Sequence, residues 1–528
     1  MSRTPLFAAV KKALAVTCHD RGIVLPRASA LSRRQVLRLS AAAAGAAALS
    51  PVLDWRAFAK DTVPPSIAIV GGGVAGLTAA HRLQAAGVKP VLFEASSRLG
   101  GRMLTVYDFY KGMFCELGGQ FVDTGHEDLI ALAKELGIEM QALATEGEGE
   151  DLYYFGGAFH TTKDMIDTAT KTGAFAPMAE KIAADAEKLT DKDENWTKFA
   201  HKLDRMSLKA YLEQFRGKAE NWAIDLLDVA YVGEFGLETE EQSALNMVDF
   251  IASDMDQPFR IFGDSDEAFR ITGGSSALIK ALTGALENKA DMRLGYALTA
   301  IDRKAGKVVL TFAGPDGEKS ESFDATILTL PFTKLRDVKG LNRLKLTPEK
   351  LKCIRELGMG ASAKVINGTT SRVWRSADSG LPAPSNGAFY SDLGFQDIWE
   401  DSRAQPGEAG ILTNFLGGKA ALAKENDALE TFRTGLAKMA PKVAESLDKA
   451  AVATFFWARY PFTLGGYAGA KVGQYTTLLD IAAEPALGGR VQFAGEHTSV
   501  DFIGYMNGGV QSGNRASEAL IETLALKK

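Results

Sequence analysis

Short apolar runs and a helical repeat alternate between residues 67 and 95 of the chain. The run Ile67–Val70 is apolar and partly β-branched, which is typical of a buried strand. From residue 74 to residue 86 the apolar positions recur at helical spacing, and Gly87 is a typical helix stop. A second apolar run over residues 90–93 ends at Glu94. The pattern predicts a strand–helix–strand unit.

Three glycines follow the first predicted strand with the spacing G-x-G-x-x-G. Gly71 permits a tight turn, Gly73 lets the backbone approach a pyrophosphate, and Gly76 lets helix and strand pack closely. The helix N-terminus supplies free N–H groups for phosphates, and Glu94 can accept hydrogen bonds from an adenosine ribose. A glycine-rich turn without a ligand is the alternative. The acidic residue at the end of the second strand favours a dinucleotide site.

Two glycine pairs come next, Gly100-Gly101 and Gly118-Gly119. Glycine pairs outside a hairpin indicate that the backbone approaches something flat or crowded. Arg102 directly follows the first pair and is a candidate to counter a diphosphate. An ordinary surface arginine in a loop is the alternative.

The rest of the chain divides by its periodicity. Residues 126–260 have a mostly helical pattern, in which most charges are expected to be solvated. Residues 292–314 and 321–332 are β-rich, with a turn at Lys304-Ala305-Gly306. Residues 491–498 predict a strand, and residues 508–526 predict a C-terminal helix.

Length and composition limit the class of protein. A chain of 528 residues is too long for one compact core, so two domains or an interleaved pair are expected. Its 46% hydrophobic and 24% charged residues are ordinary for a soluble globular enzyme. Beyond the first sixty residues, Cys115 and Cys353 are the only cysteines, which argues against a disulfide framework. The six histidines show no metal-ligand spacing, so no metal site is predicted.

The N-terminal leader differs from the rest of the chain. Residues 32–37, Ser-Arg-Arg-Gln-Val-Leu, are close to the twin-arginine export pattern, and Ala57-Phe58-Ala59 offers an A-x-A cleavage site. These features predict a signal peptide at residues 1–59, the twin-arginine export machinery as a partner, and a periplasmic or secreted protein. A disordered basic tail, or a membrane anchor if cleavage fails, is the alternative.

Removal of the leader changes the charge of the protein. It takes away nine Lys/Arg and two Asp/Glu, so the formal net charge changes from −5 to −12. Such a surface repels nucleic acid and anionic lipid and attracts cations. We therefore expect neither nucleic acid nor anionic lipid as a partner.

Six separated blocks occur in the order found in one enzyme family and extend over residues 65–525. They are residues 71–76 with Glu94, Arg98-Leu99-Gly100-Gly101-Arg102, Leu117-Gly118-Gly119-Gln120, residues 360–365, residues 457–467 and residues 493–513. By these blocks the chain resembles the flavin-containing amine oxidases, which include monoamine, polyamine and L-amino-acid oxidases.

The resemblance implies an α/β fold. A Rossmann-type FAD-binding domain, split in sequence, is interleaved with a mixed α+β substrate domain. The FAD-binding domain is expected to comprise residues 65–125, 273–340 and 456–528. Residues 126–272 and 341–455 are expected to form the helical and substrate parts.

The resemblance also implies FAD rather than NAD. By analogy Glu94 takes the adenosine ribose, while Arg102 and Glu496 lie along the diphosphate and ribityl chain. The backbone near Leu298 lies at the adenine, and the backbone of Met506 lies near the flavin. The complete set expected to bind FAD is Gly71, Gly73, Gly76, Glu94, Arg102, Gly118, Gly119, Gln120, Leu298, Trp457, Glu496 and Met506.

Three catalytic residues follow from the same resemblance. Tyr467 and Tyr505 match the aromatic pair that flanks the amine in front of the flavin; core tyrosines in glycine-rich turns are the alternative. Lys364 matches the lysine that holds a water at flavin N5 and assists reoxidation; an ordinary surface lysine is the alternative. Trp457 is expected to stack beside the ring, unless it is a core residue. The implied reaction oxidises an amine to an imine, which hydrolyses, while O2 is reduced to H2O2.

Two departures from the family pattern bear on cofactor and substrate. Gly466 stands where a covalent flavin link needs a cysteine, so FAD is expected to be noncovalent. Phe121 stands where many L-amino-acid oxidases carry an arginine for the substrate carboxylate, which favours an amine without a carboxylate. An L-amino-acid oxidase, and a periplasmic amine dehydrogenase with a protein or quinone acceptor, remain alternatives. A homodimer is also compatible with the resemblance.

Overall fold

The computed structural model of the protein describes residues 64–143, 149–161, 176–254 and 266–526. The predicted signal peptide at residues 1–59 lies outside these described residues. The helices are α1 (Val74–Ala85), α2 (Glu127–Glu135), α3 (Ala176–Ala186), α4 (Lys198–Asp204), α5 (Leu208–Glu213), α6 (Asn221–Phe235), α7 (Leu245–Asp254), α8 (Ser275–Ala285), α9 (Phe332–Leu335), α10 (Pro348–Glu356), α11 (Glu425–Met439), α12 (Pro441–Glu445), α13 (Tyr475–Leu478) and α14 (Met506–Thr523).

The strands, in chain order, belong to several sheets. They are β1 (Ile67–Val70), β2 (Val91–Glu94), β3 (Thr105–Tyr110), β4 (Met113–Glu116), β5 (Phe121–Val122), β6 (Met140–Ala142), β7 (Glu150–Phe155), β8 (Ala158–Thr161), β9 (Phe269–Ile271), β10 (Asp291–Leu294), β11 (Ala297–Lys304), β12 (Lys307–Gly314), β13 (Gly317–Phe323), β14 (Ala325–Leu328), β15 (Ser362–Thr369), β16 (Ser385–Ser391), β17 (Asp397–Glu400), β18 (Gly410–Gly417), β19 (Leu447–Phe456) and β20 (Val491–Phe493).

A five-stranded parallel sheet with the order β10-β2-β1-β14-β20 forms the centre of the nucleotide-binding part. Its strands come from widely separated parts of the chain, the last being β20. The predicted strand–helix–strand unit is present as β1, α1 and β2, and Glu94 is the last residue of β2. The predicted Rossmann-type sheet, split in sequence, is confirmed.

Each face of the parallel sheet is covered. Helices α1, α2, α8 and α14 form an apolar core with β1 on one face. On the other face lies the antiparallel sheet β11-β12-β13, where the Phe93 and Phe312 rings stack with their centroids 4.0 Å apart. The predicted turn between β11 and β12 is present, with Ala305 and Gly306 both at positive φ.

The β-rich run at residues 292–314 divides differently from its sequence pattern. Residues Asp291–Leu294 form β10, which joins the parallel sheet beside β2, whereas Ala297–Lys304 begins the separate antiparallel sheet. Gly295, with φ of 78°, separates the two strands. Sheet membership depends on this pairing partner, which the local pattern of apolar residues does not specify.

A seven-stranded mixed sheet with the order β19-β15-β18-β17-β16-β7-β8 forms the second part of the molecule. The prediction of a mostly helical region over residues 126–260 was wrong for β6, β7 and β8, which lie inside it. The β7 strand pairs in parallel with β16, and the rings of Tyr153 and Tyr390 stack across the two strands. This pairing joins residues more than 230 positions apart and leaves no local signal.

The helices between residues 176 and 254 share one apolar core, to which Tyr153 and Phe155 of β7 also contribute. None of the helices in the described ranges has both the length and the hydropathy that crossing a bilayer requires.

Candidate active site

One cavity, between the carboxyl ends of the parallel strands and the seven-stranded sheet, collects almost all the predicted site residues. Those that line it are Gly71, Gly73, Glu94, Arg102, Gly118, Gly119, Gln120, Leu298, Lys364, Trp457, Tyr467, Glu496, Tyr505 and Met506. Gly76 is the exception, because it lies behind the lining, in the first turn of α1. The tertiary structure therefore brings together residues from six separate blocks of the sequence and Leu298, which lies outside those blocks.

The glycine-rich turn at residues 71–76 leaves no room for a side chain at Gly71 or at Gly76. Gly71 has φ of 112°, and a Cβ there would lie 2.3 Å from Thr329 Oγ1. A Cβ on Gly76 would lie 2.0 Å from the Gly71 carbonyl oxygen. Gly73 is the N-cap of α1, and it lines the cavity together with Val74 and Ala75, so the first turn of the helix and its N–H groups lie at the cavity wall.

Glu94 is held rigidly at the end of β2. The backbone N–H of Gly72 donates to Oε2 at 2.7 Å, and that of Ser96 donates to Oε1 at 2.8 Å. Each carboxylate oxygen keeps a second lone pair for a ligand hydroxyl. The carboxylate is thus positioned beside the glycine-rich turn, as a ribose acceptor needs to be.

The two glycine pairs allow close approach of four chain segments. A Cβ on Gly101 would lie 3.2 Å from the Gly73 Cα, and one on Gly118 would lie 1.9 Å from the Arg102 carbonyl oxygen. A Cβ on Gly119 would lie 2.8 Å from Met506 Cγ. The glycine pairs therefore bring backbone, rather than side chains, to the cavity wall.

Arg102 forms an ion pair with Glu496 inside the cavity wall. Arg102 Nη1 donates to Glu496 Oε1 and to the Gly466 carbonyl oxygen, each at 2.7 Å. Glu496 Oε2 accepts the Gly504 N–H at 2.7 Å. The pair connects the second block of the sequence with the last two, and it fixes both side chains at the cavity.

The two tyrosines of the predicted aromatic pair form hydrogen bonds with the end of a single helix. The Tyr467 hydroxyl donates to the Gly233 carbonyl oxygen, and the Tyr505 hydroxyl donates to Glu234 Oε1 at 3.2 Å. Gly233 and Glu234 lie in the last turn of α6, and both tyrosine rings line the cavity. Helix α6 thus holds the two rings in one arrangement.

Lys364 is buried in β15 and donates three hydrogen bonds. Its Nζ lies 3.0 Å from the carbonyl oxygens of Glu116 and Gly118 and 3.0 Å from Gln120 Oε1. Burial lowers the pKa of Lys364, while the charges of Asp401 and Glu116 act in the opposite direction. The alternative of an ordinary surface lysine is wrong, because the side chain is 4% exposed.

The expected water at Lys364 stays a prediction, and the hydrogen bonds of the ammonium limit where that water can bind. An ammonium group carries three protons, and protein oxygens accept all three. Two of these acceptors are main-chain carbonyls, whereas the third belongs to the Gln120 side chain. A water at this ammonium therefore has to replace or share the Gln120 contact.

Several residues of the site carry no recognisable sequence signal. Trp399 lines the cavity and donates from Nε1 to Gln120 Oε1 at 3.1 Å, while Asp401 lies behind it and accepts from Gln120 Nε2 at 2.9 Å. His126 also lines the cavity, and burial lowers its pKa to about 3. Glu234 is the fourth. Each is an isolated polar or aromatic residue in an otherwise unremarked segment, so only spatial proximity identifies it.

The residues present fit FAD. Backbone N–H groups at α1, a clamped carboxylate at Glu94 and a glycine-lined wall extend along one cavity. At the flavin end, a Cβ on Gly466 would lie 2.2 Å from Ser362 Oγ, so any larger residue there would require the Ser362 side chain to move. In the described residues, no group of three or more His, Cys, Asp or Glu side chains is arranged to hold a metal ion.

Comparison with known proteins agrees with this geometry. The profile of the family described as "Flavin containing amine oxidoreductase" matches residues 74–521. Polyamine oxidase 5 of Oryza sativa subsp. japonica is 25% identical over 476 residues, covering 87% of this chain and 88% of its own. Nicotine dehydrogenase of Pseudomonas putida (strain DSM 28022 / S16) is 24% identical over 464 residues, covering 87% of this chain and 89% of its own.

Two solved structures share the fold. Cyclohexylamine oxidase from Brevibacterium oxydans IH-35A superposes with a TM-score of 0.74 at 20% identity, covering 87% of this chain and 99% of its own. Wild-type putrescine oxidase bound to putrescine superposes with a TM-score of 0.72 at 21% identity, covering 88% of this chain and 100% of its own. The chain belongs to the flavin-containing amine oxidoreductases, and it is an FAD-dependent enzyme that oxidises amines.

Proposed function

We propose that this protein oxidises an amine that carries no carboxylate and passes the electrons to O2, outside the cytoplasm. The observation that carries the proposal is the joint position of Tyr467, Tyr505 and Lys364 on one cavity with the glycine-rich turn. A redox cofactor bound along that turn would end between the two tyrosine rings and the lysine.

The charges of the cavity support an amine without a carboxylate. Among the described residues that line it, the cationic side chains are Arg102 and Lys364. Arg102 is paired with Glu496, and Lys364 is bonded to three protein oxygens. A substrate carboxylate would therefore be buried without a cation to pair with, which is costly.

The aromatic and carboxyl-bearing lining also supports an amine without a carboxylate, and burial raises the pKa of the Glu267 carboxyl toward its uncharged form. Asp123 and Glu267 line the cavity, and the Glu267 backbone N–H donates to Asp123 Oδ1 at 2.9 Å. Phe121, at the position where an arginine would hold a carboxylate, packs against Trp399 with 5.3 Å between ring centroids. By their names, putrescine oxidase and cyclohexylamine oxidase act on amines of this kind.

The roles of the residues follow from their positions. Bound FAD supplies the acceptor for the two electrons of the amine α C–H bond. The rings of Tyr467 and Tyr505 flank the amine and restrict its orientation, because their hydroxyls are tethered to α6. The aromatic and glycine walls exclude water from the reacting carbon. Lys364 holds positive charge at the cavity wall, where it assists the transfer of electrons to O2.

The substrate proposal is tested with purified holoprotein. Amines and L-amino acids are presented in turn, and peroxide release is measured with a coupled peroxidase. We expect release with amines only. Release of peroxide with L-amino acids, together with a 2-oxo acid product, would overturn the proposal that the substrate carries no carboxylate. Reduction of an artificial electron acceptor without peroxide release would show a dehydrogenase instead.

The location outside the cytoplasm rests on the twin-arginine pattern at residues 32–37. Replacing Arg33 and Arg34 together by lysine should keep the protein in the cytoplasm, and cell fractionation with flavin assay measures this. Unchanged export of the double variant would contradict a twin-arginine signal.

A further inference from the structure

A chain of hydrogen bonds connects Lys364 to a buried carboxylate. Lys364 Nζ donates to Gln120 Oε1 at 3.0 Å, and Gln120 Nε2 donates to Asp401 Oδ1 at 2.9 Å. Lys364 is 4% exposed, Gln120 6% and Asp401 1%. The Gln120 amide thus lies between a buried ammonium and a buried carboxyl group, with its oxygen toward the ammonium and its nitrogen toward the carboxyl. Burial raises the pKa of Asp401, while the charge of Lys364 and the hydrogen bonds to the carboxyl oxygens act in the opposite direction and favour the anion.

The orientation of this amide is fixed by a second donor. Trp399 Nε1 donates to the same Gln120 Oε1 at 3.1 Å, so a flipped amide would place its NH2 group against two donors. Trp399 also lies under the ammonium, with its ring centroid 5.1 Å from Lys364 Nζ. Gln120 is therefore held in the one orientation that connects the two charges.

Asp401 is itself firmly held. Its Oδ2 accepts the Thr413 hydroxyl at 3.0 Å and the Glu116 N–H at 3.2 Å. Its backbone oxygen accepts Arg270 Nη1 at 2.9 Å. The carboxylate cannot approach Lys364 directly without losing these bonds, so its influence on the ammonium passes through Gln120 and through the electric field.

Other ionisable groups also face Lys364. The Glu116 carboxyl has a pKa raised by burial to about 7, and it is satisfied by Ser275 and Thr105. Burial raises the pKa of the Cys115 thiol, which leaves that thiol uncharged. Arg270 adds positive charge on the far side of Asp401. Of these groups, Asp401 alone joins Lys364 through the Gln120 bridge.

We propose that Asp401 is a positioning residue of the active site, which acts through Gln120 to keep the Lys364 ammonium charged and directed at the cavity. The proposal rests on the role assigned to Lys364 under the proposed function. The bridge also explains why the third proton of Lys364 is directed at a side chain rather than at a main-chain carbonyl.

Loss of the Asp401 charge should lower the pKa of Lys364. Burial lowers the pKa of Lys364, and the negative charge of Asp401 raises it again. Removing that charge lowers the pKa further, so the ammonium is lost at a lower pH. Any property of the enzyme that needs the charged lysine should then disappear at a lower pH than in the wild type.

The test uses Asp401→Asn, which keeps the shape of the side chain, and Thr413→Val as a matched control. Thr413→Val removes an uncharged donor to the same carboxylate and keeps every charge. Two properties of the holoprotein are followed against pH: the midpoint potential of the bound flavin, measured by dye-coupled anaerobic titration, and the rate of flavin reoxidation by O2.

In the wild type, both properties should show a transition as pH rises through the pKa of Lys364. The reoxidation rate should fall there, and the midpoint potential, which falls with pH in any flavin that takes up protons on reduction, should fall more steeply there. In Asp401→Asn we expect this transition to move down by at least about one pH unit. In Thr413→Val it should move by less than about half a unit. A transition at the wild-type pH in Asp401→Asn would overturn the proposal.

A second variant tests the role of the Gln120 bridge if Asp401→Asn does not accumulate as holoprotein. Gln120→Met removes the bridge and keeps the Asp401 charge. The transition should therefore move to lower pH, by less than in Asp401→Asn. A transition at the wild-type pH in Gln120→Met would overturn the proposal. Lys364→Met tests the role of Lys364 independently of the role of Asp401. If it abolishes the fall in reoxidation rate and the steeper segment of the midpoint potential, the assignment of Lys364 stands whatever Asp401→Asn does. If both features persist in Lys364→Met, the role assigned to Lys364 has failed first.

Discussion

Lys364 and Tyr505 line the same cavity but are held by different partners. Three oxygens from residues 116–120 hold the lysine, whereas the tyrosine hydroxyl reaches Glu234 and its ring lies 5.2 Å from the ring of His126. Because the two side chains share none of these partners, each can be changed without releasing the other. The two half-reactions of the enzyme should therefore respond to different substitutions.

Lys364→Met should slow flavin reoxidation by O2 by about tenfold or more, because a preorganised positive charge is lost from the cavity wall. Anaerobic flavin reduction by the amine should be affected less. Rapid mixing with detection of the flavin absorbance follows each step separately. Reoxidation at the wild-type rate would show that Lys364 does not assist this step.

Tyr505→Leu should slow flavin reduction by about tenfold or more, because alignment of the amine serves the C–H step. Tyr505→Phe is the matched control. It keeps the ring and loses only the hydrogen bond to Glu234, so reduction should stay within about threefold of the wild type. Equal rates for the leucine variant and the wild type would remove Tyr505 from the amine-aligning pair.

FAD should be released intact when the purified protein is precipitated with acid. The physical reason is that Gly466, at the position of the linking cysteine, carries no thiol that could bond to the flavin. The measurement compares flavin absorbance in the supernatant and in the pellet. A pellet that stays yellow after washing would show a covalent flavin.

At the scale of elements, helix α1 is positioned by the absence of side chains at its start. Gly76 lies against the Gly71 carbonyl oxygen, and Gly513 of α14 packs close to the Ala75 carbonyl on the same helix. These contacts let α1 approach β1 and α14 so closely that the first turn of the helix reaches the cavity. The local sequence predicts this element well, because its periodicity and its glycines act over fewer than thirty residues.

Gly76→Ala should destabilise the holoprotein by about 1–3 kcal/mol and reduce its FAD content, because the new Cβ has to displace backbone. Gly284→Ala in α8 is the matched control, since a Cβ there meets nothing within 4 Å and alanine favours a helix. Thermal unfolding and the ratio of flavin to protein absorbance measure both effects. Full FAD content and an unchanged unfolding temperature in Gly76→Ala would contradict the close packing of α1.

At the scale of the whole molecule, the active site exists only because distant segments meet. Gly233 and Glu234 of α6 hold tyrosines that lie more than 230 positions further along the chain. Gln120 joins Lys364 to Asp401 across comparable separations. The cavity, the ion pair of Arg102 with Glu496 and the parallel sheet all combine segments from both ends of the described chain.

The sequence by itself determined the nucleotide-binding unit, because glycine spacing, strand periodicity and the acidic end of β2 are local features. The family and the remaining predicted cavity residues followed from the resemblance of six motif blocks to the flavin-containing amine oxidases. The tertiary structure decided that residues 150–161 form sheet strands rather than helix, and that β10 belongs to the parallel sheet. It also decided the partners of Lys364, Tyr467 and Tyr505. Strand pairing and buried hydrogen bonds are selected by the side chains that meet across the fold. The effect of a buried carboxylate such as Asp401 depends on the charged group that lies opposite it, which the local sequence does not show.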